Sequence, residues 1–158
     1  MEIEQMSLTE AERAYLATQI LGRLATIAPD GAPQNNPVGF RYNADAGTID
    51  IGGHNLGASR KFRNVQANGR VSLVVDDLVS VQPWRVRGIE IRGHAEALVD
   101  QPSPGMGFGN EIIRIHPRRV LSWGIDPEAP EMRARSVSSG GPAPAGAGEP
   151  GPDGPAGG

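Results

Sequence analysis

The chain has 158 residues, enough for one domain, with a formal net charge of −3 and no cysteine. That balance gives no global field toward nucleic acid, and the missing thiols exclude disulfides, thiolate catalysis and thiolate metal sites. No apolar run approaches the roughly 20 residues that span a bilayer, and the N-terminus is Glu-rich where a signal peptide would be basic, so the expected location is cytoplasmic.

Ser7-Leu8-Thr9-Glu10 has the spacing of a capping box, with Glu10 three residues after Ser7. Leu8, Ala11, Ala14 (or Tyr15) and Thr18 then follow helical spacing, which predicts a helix near residues 8–19 that Gly22 ends. Beyond it the pattern changes to period 2. Residues 23–28, 34–43 and 48–53 predict three strands of an antiparallel meander, joined by turns at Pro29-Asp30-Gly31 and Asp45-Ala46-Gly47. In the second of these, Val38, Phe40 and Tyr42 share one face. A short helix over 59–68 follows, with Ser59 as N-cap, Phe62 and Val65 as apolar face, and Asn68-Gly69 as stop.

Val71, Leu73 and Val75 alternate in a fourth strand, which Asp76-Asp77 are expected to end at a turn. The fifth strand, near 84–99, is the longest. Its apolar phase slips from Trp84 and Val86 to Ile89 and Ile91, a slip that a β-bulge at Gly88 would supply. Glu111 to Trp123, with Ile113, Ile115 and Val120, predicts a last strand pair or one strand kinked around Pro117. From Ser138 onward only Gly, Pro, Ala, Ser and single acidic residues occur, so a disordered tail is expected, with Pro127 to Val137 as the transition. The expected organisation is a domain over 1–126 and a tail over 127–158. About six antiparallel strands with two short helices predict a mainly β fold, a small β-barrel rather than a sandwich. Its thin core and exposed Val, Ile and Trp predict a homodimer that buries the Trp84 to Ile91 region.

Several chemistries find no support. Gly105-Met106-Gly107-Phe108-Gly109 lacks the spacing of a nucleotide loop and is taken as flexible. His54, His94 and His116 are single and widely spaced. Adjacent Asp76 and Asp77 make a poor acid–base pair, because on a strand they face opposite sides. No hydrolase motif is present either, and an enzyme without its own nucleophile, metal or acid pair borrows its chemistry from a cofactor. Two segments suit one. Arg60, Lys61 and Arg63 crowd a helix start, where they oppose the dipole unless an anion sits there, so Ser59-Arg60-Lys61-Phe62-Arg63-Asn64 reads as a phosphate cradle or as a solvated basic face. Asn35-Asn36-Pro37-Val38 breaks a strand ladder at Pro37 beside amides that could bond a polar heterocycle, or is an ordinary polar strand entry.

The run Ala25-Thr26-Ile27-Ala28-Pro29-Asp30-Gly31-Ala32-Pro33 followed by Asn36-Pro37-Val38 resembles the first hairpin of the pyridoxamine 5'-phosphate oxidase-like split β-barrel family. Within it the chain is most similar to the flavin/deazaflavin oxidoreductases, in the actinobacterial branch that uses coenzyme F-420. The cradle, Val74-Val75-Asp76-Asp77, Gln82-Pro83-Trp84-Arg85-Val86-Arg87-Gly88 and Ile112-Ile113-Arg114-Ile115-His116-Pro117-Arg118-Arg119 also resemble this branch, over about residues 8–126. The resemblance implies a homodimer of split barrels with cofactor sites at the subunit interface. Ser59, Arg60 and Lys61 would hold the phosphate with Asn64 nearby, Asn36, Pro37 and Val38 would edge the deazaflavin ring, and Ile51-Gly52 would let it approach the strand. Arg114, Arg118 or Arg119 are candidate contacts for the coenzyme's polyglutamate tail. The implied activity is hydride transfer from the reduced coenzyme to an electron-poor acceptor, such as a C=C, C=N or quinone-like bond. No catalytic residue is assigned, with solvent or Tyr42 as the possible proton source. The alternatives are FMN in the same barrel, or a non-catalytic carrier of deazaflavin or haem.

Overall fold

The computed structural model describes residues 8–103 and 108–137. The Ser7 cap, the Gly105 to Gly107 part of the glycine loop and the tail from Ser138 lie outside the described residues.

The chain opens with helix α1 (Glu10–Ala17), followed by strands β1 (Leu21–Ile27), β2 (Pro33–Asn43) and β3 (Thr48–Gly52). After helix α2 (Arg60–Ala67) come β4 (Arg70–Ser80), β5 (Arg85–Leu98), β6 (Ile112–Trp123) and β7 (Arg133–Ser136). The cap of α1 falls two residues later than expected. Thr9 Oγ1 accepts from the Glu12 N–H at 3.1 Å while Glu12 Oε1 accepts from the Thr9 N–H at 2.8 Å. All strand pairings are antiparallel, in the order β3-β2-β1-β4-β5-β6-β7, and β3 returns to β6 through Ile49↔Ile115 and Ile51↔Ile113. The result is a closed six-stranded barrel with β7 added on β6. Leu24, Ile49, Ile51, Leu73, Val75, Ile89, Ile91, Ile113, Ile115 and Val120 fill it, the alternate residues of their strands.

Three expectations need correction. Asp76 and Asp77 do not end β4: they pair with Gly88 and Arg87, and the strand runs on to Ser80. Asp77 is kept inside the ladder by its partners, accepting from Tyr15 Oη at 2.7 Å and from Arg87 Nε at 2.8 Å. Nor does Gly88 carry a bulge, since the β4–β5 register is unbroken there. The register slips instead at Val79 on β4 and at Arg118 on β6, which places the kink of β6 next to Pro117 as expected. Trp84 lies in the turn before β5, so its phase says nothing about the strand's inner face. Gly88 is small for another reason: a Cβ would stand 2.5 Å from Trp123 Cζ2.

Residues 127–137, which composition places with the tail, contain β7, paired with Arg119 to Ser122. Arg135 of β7 bonds both carboxylate oxygens of Glu12, one contact being 2.9 Å, and Glu12 is almost fully buried beneath α1. Burial pushes the Glu12 carboxyl up, but Arg135 and Thr9 outweigh it and hold the group below its ordinary value. A carboxyl depressed in the folded state adds stability above its unfolded pKa near 4.5, and that stability fades as pH falls through the folded value. Arg135→Ala is therefore expected to cost about 2–4 kcal/mol at pH 7, somewhat under the range for a fully buried pair because Arg135 is partly exposed. The deficit should shrink as the pH falls, once the carboxyl that the variant leaves buried without Arg135 takes up a proton. Denaturant melts of both proteins across pH check this, and a deficit constant with pH would contradict the pairing.

Candidate functional site

Helix α2 starts where Ser59 leaves the helical conformation, its Oγ accepting from the Phe62 N–H at 3.3 Å and donating to Leu56 O at 2.6 Å. Phe62 and Val65 face the core. Asn64 is buried as well, and its Nδ2 donates to Thr26 Oγ1 at 3.0 Å and Gln34 Oε1 at 2.7 Å. One amide thus clamps α2 over β1 and the start of β2. The opposite side of the helix start holds Arg60 and Arg63, exposed, and Lys61, half-buried. None of the three side chains has a hydrogen-bond or ion-pair partner among the described residues, and no acidic side chain occupies the first turn. Three unpaired cations beside the positive end of a helix dipole repel one another and the helix, and an anion relieves both.

A cavity of about 490 Å³ lies at this point, lined by Ala28, Pro29, Asp30, Gln34, Arg60, Arg63 and Asn64. A larger hollow of about 880 Å³ lies between α1 and the β6–β7 end, but the buried carboxylate in its wall, Glu12, is already spent on Arg135. The unpaired charges single out the smaller one. Of the residues expected to hold a phosphate, Arg60 and Asn64 line this cavity. Ser59 and Lys61 do not, although Lys61 sits in the same turn. The hydroxyl of Ser59 is engaged in capping. Arg63 of the expected cradle lines it too, and Gln34 joins from β2. Gln34 was legible as the residue two before Asn36 on the same strand face.

From Gln34 the site continues along β2. This strand pairs with β1 from Pro33 to Gly39 but with β3 only from Gly39 onward, so its second edge is open from 33 to 38. Pro37, without an N–H, sits where no strand needs one. Asn36 and Pro37 are exposed, whereas the side chains of Val38 and Ile51 are buried in the core and can offer a ligand only their backbone. Gly39 pairs with Gly52, and a Cβ built on Gly39, Gly52 or Gly53 meets nothing within 4 Å. None of the three has positive φ, so the fold itself does not require glycine there. They form a bare strip of backbone beside Pro37.

The arginines proposed for an acidic tail are otherwise occupied. Arg114 holds the buried Asp50 through Nε at 3.1 Å and Nη2 at 3.2 Å, and Asp50 also accepts from Asn43 and Thr48. Those bonds overcome burial and keep the Asp50 carboxyl below its ordinary value. Arg119 donates to Ser136 Oγ at 3.2 Å, and Arg118 also has a partner. Tyr42 packs against the core with a hydroxyl closed to solvent and unbonded among the described residues.

Residues 8–137 match the family model of pyridoxamine 5'-phosphate oxidase. The chain belongs to that family. It is 43% identical over 139 residues to the 5a,11a-dehydrotetracycline/5a,11a-dehydrooxytetracycline reductase of Streptomyces rimosus, covering 85% of this chain and 96% of that one. A conserved hypothetical protein of Mycobacterium tuberculosis superposes with a TM-score of 0.58 at 25% identity, over 73% of this chain and 84% of that one. An F-420 reductase superposes with a TM-score of 0.55 at 23% identity, over 72% and 98%, which is a likeness of fold. The family and the Streptomyces relative agree on a coarse class, an oxidoreductase on the split barrel.

The glycine strip gives a direct test of this pyridoxamine 5'-phosphate oxidase-like site. Gly39→Ala and Gly52→Ala have room for the methyl and reduce unfolded-state freedom, so the apo-protein should keep its melting temperature or gain up to about 1 kcal/mol. A clear loss of apo stability in thermal melts would mean that internal packing, rather than an incoming ligand, demands glycine there.

Proposed function

We propose that this chain is a reductase that binds reduced coenzyme F-420 and reduces a carbon–carbon double bond of an electron-poor, conjugated small molecule. The observation that carries the reading is the pair of unpaired cations at the start of α2, Arg60 and Arg63, lining a cavity that reaches β2 at Gln34, where the open edge of that strand begins. The residues fit the coenzyme. A phosphate would take the cationic end with Arg60 and Arg63, and the planar ring would lie along Asn36, Pro37 and the Gly39–Gly52 strip, where no side chain of the described residues stands within 4 Å of a Cβ built on either glycine. When bound, the reduced deazaflavin supplies the hydride. The chain's share is to anchor the anion, to hold the ring against a backbone edge and to exclude water. The Streptomyces relative is named for a dehydro compound, and an activated C=C is the bond such a compound offers for reduction.

FMN is the alternative, because it also joins a phosphate to a planar ring. A carrier of deazaflavin or haem is a further one. Titrating apo-protein with coenzyme F-420 and FMN separates the first two: tighter binding of the coenzyme supports the proposal, and a yellow purified protein that prefers FMN overturns it. Turnover of an activated alkene by the loaded protein separates enzyme from carrier. A charge-assisted contact to phosphate is worth about 1.5–3 kcal/mol. Arg60→Ala and Arg63→Ala are therefore each expected to weaken coenzyme binding by about ten- to a hundred-fold. Since these cations oppose the dipole, apo stability should be kept or rise by a few tenths of a kcal/mol, roughly. Unaltered affinity in Arg60→Ala and Arg63→Ala would refute the phosphate assignment.

The working form is proposed to be a homodimer. Ile20, Leu78, Val79, Val81 and Trp84 are exposed, four of them in and beside the β4–β5 turn, and an apolar cluster of this kind calls for cover. Trp84→Asp is expected to give monomer or aggregate by light scattering, and an unchanged dimer would show that this turn lies outside the interface.

A further inference from the structure

Two aromatic rings outside the core stand at the end of the glycine strip. His54, in the loop after β3, stacks on Phe108, in the loop before β6, with centroids 5.3 Å apart and planes 28° from parallel. The loops are fastened to each other and to themselves. The Gly109 N–H donates to Gly53 O at 3.4 Å, the Gln101 N–H to Asn110 O at 2.8 Å, and Ser103 Oγ to Phe108 O at 2.8 Å. His54 is exposed and Phe108 half-buried, and neither belongs to the hydrophobic cluster that fills the barrel. The chain has only three Phe, so an aromatic held in a loop away from the core is an unusual placement that the barrel's stability does not explain. Gly53, directly before His54, opens on free space, and its neighbour Gly52 pairs with Gly39.

We propose that the His54–Phe108 pair is a stacking wall for the acceptor, taking up the π-face of a conjugated ring system. The inference rests on the reading of the β2–β3 edge as the place where the planar cofactor lies. The coenzyme occupies the strip from the cationic end of α2, and the ring pair bounds the strip at its far end, two residues beyond Gly52. An aromatic wall recognises a π-face without needing a fixed pattern of polar groups, and two rings already stacked need little ordering when a third plane joins them. The backbone bonds around Phe108 hold the wall in place before the acceptor arrives.

Tetracycline, a four-ring probe with its own fluorescence, tests the wall by direct binding in the absence of turnover. The parent protein is expected to bind it, and His54→Ala, Phe108→Ala and the double variant to weaken that binding by roughly tenfold or more while the affinity for coenzyme F-420 stays unchanged. Phe108→Tyr, which keeps a stacking ring, should restore most of it. Failure of the parent to bind the probe, equal binding by parent and variants, or a matching loss of coenzyme affinity each overturn the proposal, the last because the rings would then belong to the cofactor's site. If the parent binds the probe through these rings but prefers FMN to coenzyme F-420, the wall stands and the choice of coenzyme falls. Thermal melts of the variants separate misfolding from lost contact, and Phe108→Tyr keeps the test decisive if Phe108→Ala is unstable.

Discussion

Asn64 is the group on which the geometry of the site depends. It projects from a two-turn helix into the interior and spends its amide N–H groups on Thr26 of β1 and Gln34 of β2. Side-chain amides are expensive to bury unless bonded, so this arrangement fixes both the rotation of α2 and its distance from the strands. With Phe62 and Val65 on the inner side, Arg60 and Arg63 have only the cavity side left to face. The cations are therefore set over the beginning of the one strand edge that β3 leaves open. A solvated basic face would not need that clamp.

The rest of the charge distribution sharpens the contrast. The buried carboxylates each have a dedicated partner: Glu12 has Arg135 and Thr9, and Asp50 has Arg114, Asn43 and Thr48. Both pairs are structural. The first fastens α1 to β7, and the second bridges β3 and β6 where the barrel closes. In a chain that satisfies its buried anions so fully, three neighbouring cations whose side chains have no partner among the described residues form a local excess of positive charge, which an anionic ligand would offset.

Much of the barrel was legible because period-2 alternation with Gly, Pro and Asn punctuation marks antiparallel strands directly. Ser59 as cap and Pro37 on an open edge could also be read, since each follows from local backbone chemistry. What escaped was non-local. Asp76 and Asp77 look like a turn in one dimension, and only the approach of Tyr15 and Arg87 makes them strand residues. The phase slip around Gly88 counts Trp84, a turn residue, with the strand, while the register slips lie on β4 and β6, where Val79 and Arg118 are the extra residues. β7 is four residues long in a Pro- and charge-rich stretch, and its place depends on a Glu more than a hundred positions earlier in the chain. Arg60 and Asn64 line the cavity at the α2 start, and Asn36, Pro37 and Gly52 lie along the β2–β3 edge. Val38 and Ile51 turn their side chains inward, and Arg114 is held by a carboxylate that its sequence neighbours do not reveal.

A phosphate at the α2 start would also account for a first turn of cations, and the bare glycines at the β2–β3 edge leave room for a planar ring. The two features are joined by β2 itself, from Gln34 to Gly39, so they are best tested together through one ligand. The most direct measurement is calorimetric titration of the apo-protein with coenzyme F-420 and with the same deazaflavin lacking its phosphate and everything attached beyond it. The account predicts that removing the phosphate weakens binding by at least about tenfold, and that this difference narrows as salt screens the cations. Equal affinity for the two ligands at low salt would contradict it.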